Sequence, residues 1–526
     1  MLIDKIRKII NQRRLFTKVE IILILVIISI FIFLIYWGSS SGVRGTDQYW
    51  YLADAESLIN GQGVQTNDIY PVSVYKEIQS IPRPFVHNIL NLYFVILPGI
   101  FFGAYTGFII MNILCSFLTA FFIYKTIIIY TKYQPALLIS SLYLLLPITV
   151  WQTAQPLAEA SIAPLVALLM LLYAKISISN NNNLYNWLIL VFISGLLILC
   201  RLSFLPIIFV IPIIYLIHNR PIKIKNMFNM VILFILGFLF LLIQKNFFKS
   251  NISIPLLQGI INWNNDKYGN MGNCFDLYPK PITVLNFINV LFANTIKALK
   301  IQFLSLNSLG ILFYLPFNLM AIISLILLFK SKSKKIKNIT FIAILFFLLH
   351  LLTVILIQNQ FRYMLVTIAP LLIATGIALG NWKRIIPFLN KKYVIFILIL
   401  ILILTPIDFL LANRLHNEGI RSQQVGKELS AAFCENIPTY DTIMVEYSGG
   451  GDLIYGYILR PRFVLYIRDD YSEEIYYRLA KNVNAKWMIC KINSPIIKQM
   501  ESIISYKIEK FPEPLGSYGL FALEKF

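Results

Sequence analysis

The chain has 526 residues, of which 58% are hydrophobic and only 13% charged, with mean hydropathy +0.72. Soluble domains average roughly 45–50% apolar and about 25% charged, so a soluble globular class is excluded. The net charge of +21 does not point to nucleic acid: residues 412–526 hold fourteen Lys/Arg and fourteen Asp/Glu, and the whole excess lies in short loops between apolar runs, the signature of membrane topology.

Residues 1–20 carry six basic side chains and two acidic ones. The apolar run after them lacks a small-residue cleavage site, so 21–37 reads as a retained first span leaving the basic side. An outer loop, 38–105, follows. It opens with Gly45-Thr46-Asp47-Gln48-Tyr49-Trp50-Tyr51-Leu52-Ala53-Asp54 on an expected helix. Asp54 and Glu56 read as its solvated face, and Tyr49, Trp50 and Tyr51 as an interfacial aromatic belt or a sugar-stacking surface. The apolar stretch 87–102 is assigned to the interface or a re-entrant segment. If it crossed, the run Lys330–Lys337 would face the side opposite the basic N-terminus. If it does not, one side collects twenty-one Lys/Arg against two acids.

Ten further spans then follow, at 106–128, 134–150, 157–175, 184–200, 203–217, 227–245, 309–330, 338–357, 363–380 and 393–411, each near the ~20 residues a bilayer requires. Residues 246–306 form a second outer loop. The tail reads as a small α/β domain. Strands are expected at 442–447, 463–468, 486–492, 505–511 and 520–525, and helices at 422–436, 472–482 and 494–502. Gly449-Gly450-Gly451 lacks the Lys-Ser/Thr ending of a phosphate loop and reads as a turn. The predicted architecture is an α-helical polytopic membrane protein of about eleven transmembrane helices (1–411) with an extracytoplasmic α/β domain (412–526). None of the five cysteines has metal-ligand spacing, and Cys434 and Cys490 share the tail as a candidate pair.

Charges inside membrane helices cost about 2.5–3.5 kcal/mol at the helix centre, so those at helix ends ask for a reason. Glu159, Arg201 and Arg362 all fall at outer ends of spans, on the side of Asp47, Lys76 and Arg83 in the first loop. Each has a structural alternative. The arginines can snorkel, Glu159 can complement a helix dipole, and Asp47 can serve as a cap. The four histidines are dispersed and suggest no metal site.

These residues resemble the GT-C superfamily of membrane glycosyltransferases, in particular the branch of protein O-mannosyltransferases and lipid A aminoarabinose transferases. The matching segments are Gly45-Thr46-Asp47-Gln48-Tyr49, Pro82-Arg83-Pro84, Gly103, Pro156–Glu159 and Gln360-Phe361-Arg362-Tyr363 through Pro370. The resemblance implies a sugar donor on polyprenyl phosphate, an envelope acceptor (lipid, glycan or protein) at the outer face of a bacterial inner membrane, and the first-loop acid as catalytic residue. Two departures matter. Gln48 stands where many members have a second acid, and Ile81-Pro82-Arg83-Pro84 stands where the aminoarabinose branch has Glu-Lys-Pro-Pro.

The chemistry suits these residue types. A hydroxyl acceptor must lose a proton as it attacks the anomeric carbon, and a positioned carboxylate can take it; that role falls to Asp47. The departing lipid phosphate needs cations, and the planar fork of arginine matches phosphate oxygens; Arg362 is assigned, with Arg201 and Arg83 assisting. Glu159, Tyr49 and Lys76 are candidate substrate contacts. The sequence shows no required cofactor and no metal ligand set, and a divalent metal stays an open alternative. The competing classes are a transporter or flippase of lipid-linked glycan and a surface-glycan ligase or polymerase. A transporter should carry midplane polar residues and internal repeats, which the sequence does not display.

Overall fold

In hydrocarbon every backbone N–H and C=O must be satisfied within its own segment, so long apolar runs become helices. The computed structural model describes residues 18–40, 46–61, 65–66, 68–69, 83–84, 89–157, 159–179, 183–200, 204–218, 223–247, 284–299, 315–357, 365–382 and single positions at 392, 395, 396 and 399. In the C-terminal part it describes 437–438, 441–446, 462–501, 504–508 and 518–523. The first ten helices are α1 (Lys18–Ser39), α2 (Thr46–Ile59), α3 (Ile89–Phe102), α4 (Ala104–Tyr130), α5 (Tyr133–Leu145), α6 (Pro147–Thr153), α7 (Glu159–Ser179), α8 (Leu184–Cys200), α9 (Leu205–His218) and α10 (Ile224–Phe247). After them come α11 (Val284–Leu299), α12 (Leu315–Lys330), α13 (Lys334–Ile357) and α14 (Leu365–Gly380).

The chain is an integral membrane protein. Among the described residues four helices are long and apolar enough to cross a bilayer: Glu20–Ser39, Ala104–Tyr130, Glu159–Ile178 and Lys334–Leu352. A fifth expected span, 134–150, is broken into α5 and α6, which meet at 54°. The break follows from Pro147, which disfavours the helical region at the residue before it; Leu146 is extended, at φ −61° and ψ 132°. Shorter apolar helices occupy the spans expected at 184–200, 227–245, 309–330 and 363–380. The last expected span, 393–411, lies almost wholly outside the described residues, as does the expected helix 422–436. The second outer loop is not wholly irregular, since it contains α11.

α4 is the hub of the bundle and touches α3, α5, α6, α7 and α14. α3 is 14 residues long, about 21 Å at 1.5 Å per residue, and falls short of the ~30 Å hydrocarbon core. It turns into α4 at Gly103, whose φ of 82° only glycine adopts readily.

The C-terminal part is an α/β unit, as expected. Its strands are β4 (Thr442–Glu446), β5 (Phe463–Ile467), β6 (Ala485–Lys491), β7 (Ile504–Ile508) and β8 (Tyr518–Leu523), with helices α15 (Glu473–Val483) and α16 (Pro495–Gln499). β4 pairs in parallel with β5 and β6, while β8 runs antiparallel to β6 and β7. β4 is buried at all five positions, as a central parallel strand should be. Cys490 is a free thiol buried in β6; Cys434 and Gly449–Gly451 lie outside the described residues. The sheet has a sixth strand that the sequence did not announce: β2 (Asp68–Ile69), from the first loop, pairs in parallel with β5. β1 (Gln65–Thr66) and β3 (Arg83–Pro84) form a separate antiparallel ribbon. A bilayer cannot divide a hydrogen-bonded sheet, so the first loop and the C-terminal domain occupy the same side of the membrane.

Candidate active site

α2 carries position 47 as its second residue. The side chains of Asp47 and Tyr49 lie outside the described residues, as do the side chain of Arg83 in β3 and all of Lys76, Arg201 and Arg362. What the structure does define is how the elements bearing these positions are held, and one face of α4 holds most of them. Tyr105, Phe108, Asn112 and Ser116 recur at helical spacing along its N-terminal half. The Tyr105 hydroxyl donates to the Ser39 carbonyl at the end of α1, 2.7 Å away. The Phe108 ring packs against Tyr51 of α2, with centroids 6.4 Å apart. Ser116 and Thr153 share a hydrogen bond of 2.8 Å that ties down α6.

Asn112 does the most. A helix end leaves its last carbonyls without partners, and the buried turn after α6 would strand them in an apolar interior. The Asn112 side-chain amide donates to the Gln155 carbonyl at 2.8 Å and lies 3.3 and 3.4 Å from those of Leu157 and Gln152. Gln155 in turn reaches the Gly38 carbonyl at 3.4 Å. This clamped turn leads straight into Glu159, the first residue of α7, which is only 1% exposed. The turn before Glu159 and Tyr51 of α2 are thus anchored one helical turn apart on α4, at the same end of the bundle.

Of the elements flanking positions 201 and 362, α14 also packs on α4. Gly376 and Gly380 of α14 press against Ile127 and Thr131 of α4; a Cβ on either glycine would come within 2.4 or 2.3 Å of those side chains. Both contacts advance by four residues, so the helices run parallel. At equal rise per residue α14 begins level with about Ser116, and position 362 precedes that start by three residues. On the other flank, Phe204 stacks on His350 of α13 at 4.9 Å. Position 201 lies three residues before Phe204, and His350 lies about two turns before α13 ends on its way to residue 362.

Two expectations for α2 need correction. Asp54 is not on a solvated face: it is 1% exposed. The reason is that α2 packs against α3 and α4, so its inner positions cannot face water. Tyr51 likewise is buried against Phe108 and is not in an interfacial belt. Positions 47 and 54 lie seven residues apart, on one face of α2, so a buried carboxylate stands two turns below the predicted base. That spacing was present in the sequence. The sequence reading also missed Asn112, whose signal was a lone amide inside an apolar span. Among the described residues no group of three or more His, Cys, Asp or Glu is placed to hold a metal ion.

No protein-family model matches the chain, and no curated protein matches it in sequence. Solved structures do match in fold. ArnT from Cupriavidus metallidurans bound to undecaprenyl phosphate superposes with a TM-score of 0.58 at 10% identity, over 95% of this chain and 98% of that one. The same enzyme in the apo state gives 0.54 at 10% identity, over 95% and 97%. The similarity embraces both the helical bundle and the C-terminal region, so the chain shares the fold of ArnT.

Proposed function

We propose that this chain, with its GT-C fold, is a membrane glycosyltransferase. It would move a sugar from a polyprenyl-phosphate donor to a hydroxyl acceptor of the cell envelope at the outer face of a bacterial inner membrane. The observation that carries this reading is that α4 holds α2, which carries position 47, and the turn into the buried Glu159 of α7 one helical turn apart, in a fold that superposes on ArnT bound to undecaprenyl phosphate. In the proposed reaction Asp47 takes the proton of the acceptor hydroxyl as its oxygen bonds to the anomeric carbon. The bond from that carbon to the phosphate oxygen breaks, and polyprenyl phosphate leaves with the electron pair. Arg362, helped by Arg201 and Arg83, balances the growing phosphate charge. Glu159, Tyr49 and Lys76 contact the sugar or the acceptor.

The test is turnover in lipid, using polyprenyl-phosphate monosaccharides and an envelope fraction as acceptor, with release of free polyprenyl phosphate and labelled product both measured. Wild type should release lipid phosphate only when acceptor is present. Asp47→Asn should insert normally and lose about 10²–10⁴-fold in rate. Full activity in that variant would sink the base assignment. Unchanged donor affinity in Arg362→Ala would sink the phosphate role. Movement of lipid-linked glycan across the bilayer without sugar transfer would replace the whole reading with transport.

A further inference from the structure

The ladder between β2 and β5 joins the C-terminal domain to the loop that opens the candidate site. Asp68 pairs with Val464 and Ile69 with Leu465, so β2 is an edge strand of a sheet otherwise built from residues 442–523. One residue separates β2 from β1, where Thr66 stands opposite Arg83 and Gln65 opposite Pro84. β1 also packs against α2, the helix that carries position 47. At ~3.6 Å per residue and ~5.5 Å across an antiparallel pair, the backbone of Arg83 lies within roughly 13 Å of that of Asp68.

We infer that the C-terminal domain is a positioning element of the transfer site. By taking β2 into its sheet it holds the β1–β3 ribbon, and with it Arg83, at the mouth of α2. The physical argument is entropic. The 29-residue connection between α2 and α3 (positions 60–88) loses backbone freedom at every residue that is ordered. A strand added to a preformed sheet edge gains backbone hydrogen bonds from a partner that is already rigid. The domain's three parallel strands and packed core supply that rigidity. The claim that this positioning serves transfer rests on the lipid-phosphate role given to Arg83; the strand addition itself does not.

Two measurements separate those layers. Neighbouring strands run about 4.8 Å apart, inside the 4.4–6.8 Å Cα window of a disulfide. The full-length variants Asp68→Cys/Val464→Cys and Ile69→Cys/Leu465→Cys should therefore each yield a disulfide-linked peptide pair, read by mass spectrometry of digested membranes, and single-cysteine controls should not. Absence of the linked pair in both variants overturns the inference. The second measurement is transfer. One of two consecutive strand N–H groups faces β5, so Asp68→Pro/Ile69→Pro removes it, while Asp68→Ala/Ile69→Ala keeps it. The proline variant should raise the donor KM about tenfold or more, while the alanine variant stays near wild type. Equal kinetics in the two variants overturns the positioning role. Linked peptides in a wild-type background that transfers no sugar would retire the proposed reaction and leave the strand addition standing.

Discussion

At the scale of single residues, the consequential side chains are those that satisfy backbone groups at depth. Asn112 is the clearest. Removing a partner from a buried polar group costs about 1–3 kcal/mol, so Asn112→Leu should lower the unfolding free energy by about that amount, measured by thermal unfolding in lipid or detergent. It should also slow transfer, because the turn before Glu159 would lose its tie to α4. An unchanged melting temperature would show that the clamp carries little. In the C-terminal domain, burial raises the Glu446 carboxyl above its ordinary 4.5, opposed by the hydrogen bond it accepts from the Lys491 N–H. With the folded pKa above the unfolded one, the folded state keeps the proton longer. The contribution of this group to stability is then fully present below 4.5 and is lost as pH rises through the raised value. Glu446→Gln keeps an acceptor for Lys491 and sheds the charge. Melts of both proteins between about pH 4 and 8 should show that decline flattened in the variant. A parallel pH profile would refute the attribution.

At the scale of elements, the register between α4 and α14 decides where the second half of the bundle meets the first. Gly376→Ala puts a methyl group 2.4 Å from Ile127, and overpacking of this kind costs typically 1–3 kcal/mol. The single variant should lower stability and transfer together, and adding Ile127→Ala should restore both by vacating the space. A double-mutant cycle reads the coupling, and additive losses would mean that the two helices do not meet there. Much at this scale was legible in the sequence. Long apolar runs must be helical in lipid, so the predicted spans match the helices wherever both are described, usually to within three or four residues. The strands of the tail were legible from period-two alternation and β-branched content. β2 was not legible: two residues of Thr66-Asn67-Asp68-Ile69-Tyr70 carry no periodic signal, and their pairing is created by a sheet almost 400 positions away.

At the scale of the whole molecule, the shared sheet places the first loop and the C-terminal domain on one side, and an even number of crossings must separate them. The ten spans predicted after the first loop are an even number; α3 is not among them, because the charge bias assigns 87–102 to the interface or a re-entrant segment. The basic hairpin between α12 and α13 should then face the opposite side. Ser333→Cys, exposed in that hairpin, should react with a membrane-impermeant thiol reagent only in inverted vesicles. Lys486→Cys, on β6 with 45% of its lysine side chain exposed, should react only in right-side-out ones. Cys274→Ser and Cys434→Ser in both backgrounds remove the competing thiols. Labelling of both cysteines from one side would break the topology.

The sequence by itself determined the class of the protein, the positions of most helices and the α/β character of the tail, because these follow from local hydrophobic period, from charge bias and from the absence of water in a bilayer. It also singled out Glu159, which the structure buries at the start of α7. Only the tertiary structure decided that Asp54 and Tyr51 are buried, that Asn112 holds the turn before Glu159, and that the C-terminal domain takes a strand from the first loop. Each of those facts depends on which surfaces meet across long sequence separations, and a side chain's burial or a strand's partner is a property of both surfaces at once.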